Sequence, residues 1–140
     1  MCERSWRRGL DFEAVSQAML RDLRGTRSQV AFSRRLKYKS NVAYLWESGR
    51  RWPTAVVTLA AAERVGRPVR EHLRRFLNTE PSWLHDDAPM AELVPRVLQH
   101  LKGKTPIQPL ARRTGLSRFA ISRWLKGVGE PRLPEFLQLI

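Results

Sequence analysis

Apolar residues in this chain recur three and four positions apart, and no stretch keeps the two-residue alternation of a half-buried strand. Phe12, Val15, Met19, Leu20 and Leu23 fall on one face of a helix expected over residues 11–24, with Asp11 as N-cap and Gly25 as its stop. A second helix is expected over 28–36, capped by Ser28 and burying Val30, Ala31 and Phe32. After the turn Lys37-Tyr38-Lys39, a third runs over 40–48 and ends at Gly49. Pro53 belongs to the first turn of a fourth that ends at Gly66, and a fifth covers 68–77. Residues 78–89, with two prolines and Asp86-Asp87, read as a linker. Helices resume over 90–102, 108–114 and 117–126, and a last one begins near Pro134. The expected fold class is all-α.

The second run of helices repeats the first at an offset of 78 positions. Trp46 falls on Trp124, Gly49 on Gly127, Pro53 on Pro131, Gly25 on Gly103, and Arg34-Arg35 on Arg112-Arg113, with no gap from residue 12 to residue 62. A repeat of this length means that one fold is used twice. The expected organisation is an N-terminal arm (1–10), a five-helix domain (11–77), the linker (78–89) and a second domain (90–140). In the repeat register Ile140 corresponds to Ala62, midway through the fourth helix. The second domain is therefore expected to be C-terminally incomplete, and the chain an N-terminal piece of a longer protein.

Charge changes the picture most. The chain of 140 residues holds 26 Lys/Arg against 13 Asp/Glu, for a net charge of +13. Between Arg24 and Arg51 eight basic residues are opposed only by Glu47 and no other acid. Such clustering around one helix pair is the footprint of a polyanionic partner. A basic membrane-surface helix would need an exposed apolar face, which these short capped segments lack, and no apolar run reaches the ~20 residues of a membrane span. The single Cys2 excludes an internal disulfide and a thiolate cage and fits a reducing cytosol. His72, His85 and His100 have no metal-ligand spacing and are expected at solvated surface; Asp86-Asp87 reads as a solvated charge pair. With no phosphate loop, Ser/His/Asp set or Cys/His cluster, neither an enzyme nor a cofactor is expected.

Two short helices joined by a tight turn, the second offered to a major groove, need a small inner residue, a turn residue tolerant of positive φ, and a capped reading helix. The string from Leu110 to Gly127, with Gly115, Ser117, Ile121 and Trp124, resembles the lambda-repressor-like, or XRE-type, helix-turn-helix family. Ser28-Gln29 and Trp46-Glu47-Ser48-Gly49 through Pro53 resemble the opening and the ending of the same motif. The resemblance implies tandem copies of a sequence-selective regulator of transcription that binds double-stranded DNA, located in the cytoplasm with the nucleoid. It implies that Gln29, Ser40, Asn41 and Tyr44 in the first copy, and Arg118, Phe119, Ser122 and Arg123 in the second, face the bases. Arginine suits guanine and asparagine suits adenine, each pair giving about 1–3 kcal/mol of discrimination. Ser28, Lys39, Arg50, Arg51, Ser117 and Lys126 are assigned to phosphate. Ala43, Ile121, Trp46 and Trp124 are assigned to the core.

The second copy departs from the pattern where Ile107, between Pro106 and Pro109, replaces Gln29; the first departs where Lys37 and Lys39 replace the turn glycine and the capping serine that Gly115 and Ser117 keep. A left-handed Lys37 would cost on the order of 1 kcal/mol, and the third helix is expected to start at Ser40. The alternative function is a protein-interaction adaptor, antitoxin-like or docking on RNA polymerase, with exposed Phe119 as its contact. A homodimer or protein partner through residues beyond 140 is the further expectation.

Overall fold

Short polar side chains at the helix starts explain much of the element pattern. In the computed structural model, which describes residues 11–140, Asp11 Oδ1 accepts from the N–H groups of Glu13 and Ala14 and opens α1, Phe12–Arg24. Ser28 caps α2, Gln29–Arg35, through the Ala31 N–H. Asn41 caps α3, Val42–Glu47. Thr54 caps α4, Ala55–Arg64, and α5 follows at Val69–Leu77. Then come α6, Met90–Lys102, α7, Ile107–Thr114, and α8, Arg118–Leu125, capped by Ser117, with α9, Leu133–Leu139, last. All regular elements among the described residues are helices. The expected arm, 1–10, lies outside the described residues.

Three expected boundaries move. The third helix starts at Val42 and not at Ser40, because Asn41 supplies the capping oxygen. Pro53 precedes the fourth helix, whose cap is Thr54 and whose last helical residue is Arg64. The segment 78–89 is an ordered connection: Leu84 and Ala88 are buried, and the Arg70 guanidinium donates to the carbonyls of His85 and Ala88 while pairing with Glu63 at 2.8 Å.

The helices recur at the 78-residue offset: α6 begins and ends 78 positions after α1, and α7, α8 and α9 begin at or within two residues of the positions expected from α2, α3 and α4. Compactness divides the chain elsewhere, between a unit ending at Trp52 and a unit Pro53–Ile140. In the first unit α1 and α2 both pack on α3 around Leu20, Phe32, Ala43 and Trp46. Met19, expected in this core, is exposed; the fully buried Ser16 takes the inner position and donates to the Phe12 carbonyl at 2.7 Å.

In the second unit α6 and α7 both pack on α8, around Leu93, Val97, Leu110, Ile121 and Trp124. The fourth helix of the first repeat, α4, packs here too, against α5, α6 and α9. Its start and the start of α9 meet in an isolated antiparallel bridge, Thr54 to Arg132. The Ala55 N–H donates to the Pro131 carbonyl and the Leu133 N–H to the Pro53 carbonyl, both at 2.9 Å. Since 53, 54 and 55 correspond to 131, 132 and 133, the two repeats pair through the same three positions in reciprocal fashion, as isologous contacts do.

Candidate nucleic-acid interface

In the first unit the turn between α2 and α3 is made by Lys37, left-handed at φ 69°. The conformation suits glycine and strains lysine, and it leaves Lys37 exposed beside exposed Lys39, Ser40 and Asn41. Behind the turn lies Ser33, almost wholly buried. Its hydroxyl donates to the Gln29 carbonyl at 2.8 Å, lies 3.2 Å from Asn41 Oδ1, and accepts from the Ala43 N–H at 3.0 Å. One hydroxyl thus fastens α2 to the first turn of α3. Asn41 Oδ1 also receives the Tyr44 N–H at 3.4 Å. Bidentate pairing with adenine needs both the carbonyl and the amide of an asparagine, and here the carbonyl holds the helix start.

Tyr44 stands outward from α3, and the Arg50 guanidinium lies over its ring, 5.4 Å from the centroid. Arg51, Lys37 and Lys39 form no ion pair among the described residues. Glu47, the acid among these cations, is turned away from them: it is 5% exposed and takes Arg24 at 2.8 and 3.0 Å, with Arg21 at 3.8 Å. Hydrogen bonding to Glu47 holds the Arg24 pKa above its ordinary value, against the opposing pull of desolvation. Glu47 therefore does not offset Lys37, Lys39, Arg50 or Arg51, because its charge is taken by Arg24. Ser28 spends its oxygen on the α2 cap, and Gln29 is half-buried as the first residue of that helix.

In the second unit Gly115 makes the corresponding turn at φ 76°, and Ser117 caps α8 through the Phe119 and Ala120 N–H groups. Ala111 occupies the Ser33 position, so no hydroxyl weld is needed where serine already caps the helix. The outward residues of α8 are Arg118, Phe119 and Arg123; Ser122 is half-buried, and Lys126 is exposed at the C-cap. Phe119 is 70% exposed, with the Arg118 guanidinium 5.0 Å from its ring centroid. Trp46 and Trp124 are buried, at 4% and 8% exposure.

Each unit fastens the end of its exposed helix to the preceding long helix through a glutamine. Gln17 Nε2 donates to the Glu47 carbonyl at 2.9 Å, and Gln99 Nε2 donates to the Leu125 carbonyl. The two glutamines are not equivalent in the repeat. Position 95, which corresponds to Gln17, is a proline whose ring packs near Gly127, and the amide comes from one helical turn later. Sequence reasoning missed Ser33, the glutamines and the Arg24–Glu47 pair. Setting the repeats side by side holds a signal for the first, a serine opposite an alanine on an otherwise apolar face.

Among the described residues no cluster of His, Cys, Asp and Glu could hold a metal, and no helix is long and apolar enough to cross a membrane. His72, His85 and His100 are exposed, His100 lying edge-on to Trp83, and Asp86 pairs with Arg74 at 3.1 Å. Compared with protein-family models, with curated proteins and with solved structures, the chain matches none.

Proposed function

We propose that this chain is a sequence-specific double-stranded DNA-binding regulator of transcription, acting in the cytoplasm at the nucleoid. In this reading α3 and α8 are the major-groove helices of two tandem helix-turn-helix heads of the lambda-repressor-like type. One observation carries the reading: in both units, a buried-core helix pair with a left-handed turn presents an exposed aromatic beneath an arginine, and Lys37, Lys39, Arg50, Arg51, Arg118, Arg123 and Lys126 pair with no carboxylate among the described residues. Aromatic and arginine side chains suit base edges, and unpaired Lys/Arg suit phosphate. A net charge of +13 supplies the long-range attraction. Tyr44, Arg118, Phe119, Ser122 and Arg123 are the base-facing set, with Ser40 and Gln29 at its border. Lys39, Arg50, Arg51 and Lys126 hold phosphate, and Ser28 and Ser117 border it at the helix starts that their side chains cap. Asn41 contributes through its amide alone. Selection from random duplexes by the purified chain tests this: an enriched motif is expected, and an unenriched pool contradicts it.

A second reading, the protein-interaction adaptor, draws on the second unit. There α6, α7, α8 and α9 leave a groove lined by Leu98, Leu101, Leu110, Leu125 and Leu139, and Phe119 and Val128 stand exposed. Loss of duplex binding on substituting residues of the first unit alone, with Arg118→Ala and Arg123→Ala silent, would favour this role for the second unit.

A further inference from the structure

We propose that Arg118 and Phe119 act as one reader of a two-base step, a guanine next to a pyrimidine that carries a 5-methyl group. The inference rests on the DNA-binding reading above and assigns what the second unit selects. Among the described residues Phe119 is the most exposed of the large apolar side chains, at 70%, on a helix whose other aromatic, Trp124, is buried. Its placement does not serve the core. The Arg118 guanidinium lies 5.0 Å from the ring centroid and forms no ion pair among the described residues. Both residues fall in the first turn of α8, whose start is fixed by two N–H bonds to Ser117.

Contact with the ring face narrows the range of guanidinium positions before any ligand arrives, which reduces the ordering that binding demands. The planar guanidinium offers two parallel N–H donors, the match for guanine O6 and N7. The ring that holds it is apolar and abuts the same site, so the neighbouring base is favoured if it offers an apolar group. In the major groove only the 5-methyl of thymine, or of 5-methylcytosine, does so. The first unit has Ser40 and Asn41 at the corresponding positions, and its own aromatic–arginine pair, Tyr44 with Arg50, stands elsewhere on the surface of that unit. The two units therefore prefer different sequences.

The test uses the full chain and the duplex enriched from a random pool, with affinity read by fluorescence anisotropy. Each thymine is replaced in turn by deoxyuridine, which removes only the methyl group, and then by cytosine and 5-methylcytosine. At one thymine beside a guanine, deoxyuridine is expected to weaken binding about three- to fivefold, as loss of one buried methyl does, and 5-methylcytosine to bind better than cytosine. Phe119→Ala abolishes this sensitivity, Phe119→Leu keeps part of it, and Arg118→Lys relaxes the choice of the adjacent guanine. An enriched duplex with no methyl-sensitive position, or a sensitivity that survives Phe119→Ala, overturns the inference and leaves the DNA-binding function standing. A pool that yields no enriched duplex overturns both.

Discussion

Glu47 accepts two hydrogen bonds from Arg24, at 2.8 and 3.0 Å, and so ties the last turn of α3 to the last turn of α1. The carboxylate is buried, so removing Arg24 leaves it without a hydrogen-bonded cation, with only the exposed Arg21 at 3.8 Å. Arg24→Met alone is expected to lower the thermal midpoint of unfolding, and Glu47→Leu added to it to recover most of the loss. The second repeat holds Lys102 and Leu125 at these positions, which shows that the fold accepts an apolar residue there. A double variant no more stable than Arg24→Met would contradict the argument.

Ser33 is the hinge pin between α2 and α3. Ser33→Ala leaves the Ala43 N–H buried without its acceptor and loosens Asn41, with an expected loss of about 1–3 kcal/mol in urea unfolding. Asn41→Ala removes the α3 cap and is expected to lower stability by about 0.5–2 kcal/mol. Stability unchanged in Asn41→Ala would free this residue for adenine pairing.

Lys37 and Gly115 hold the same turn position with φ of 69° and 76°. A Cβ at Gly115 would meet no atom within 4 Å, so Gly115→Ala meets no steric obstacle and reports backbone strain less the entropy that the unfolded chain gives up. Its expected effect is a loss of about 1 kcal/mol. Lys37→Gly relieves the strain but adds unfolded-state entropy, so it stabilises by less than about 1 kcal/mol. Urea midpoints of the two variants check both signs.

Arg70 holds the segment 78–89 through two carbonyls. Arg70→Met is expected to speed amide hydrogen exchange in that segment while leaving α1–α3 unchanged. Protection that persists there would mean that Leu84 and Ala88 suffice to order it.

Most helix positions were legible because capping chemistry is local: Asp11, Ser28 and Ser117 announce their helices, and the 78-residue register checks each against its copy. What failed to show depended on contacts between distant residues. Whether Ser40 or Asn41 caps α3 is decided by Ser33, eight positions away, which holds the Asn41 oxygen in place. That Glu47 neutralises Arg24 and not the exposed arginines follows from how α1 crosses α3. Residues 78–89 carry loop composition, and the contacts that hold them, from Arg70 and Arg74 and through buried Leu84 and Ala88, join residues far apart in sequence. For the interface, exposure of Tyr44 and Phe119 follows from helical period, whereas their stacking under Arg50 and Arg118 involves side-chain geometry that spacing does not specify.

On the DNA-binding reading Arg51 holds phosphate, so Arg51→Ala should weaken binding to all duplexes alike and reduce the slope of log affinity against log salt by about one. Tyr44→Ala is expected to weaken binding to the enriched sequence more than to random duplex. Equal losses on both sequences for both variants would erase the division.

The most direct measurement is the affinity of the full chain for the enriched duplex and for a scrambled one of equal length, between about 50 and 200 mM salt. The account predicts that both affinities fall steeply with salt and that the enriched duplex stays at least about a thousandfold tighter. Equal affinities across that range would contradict it.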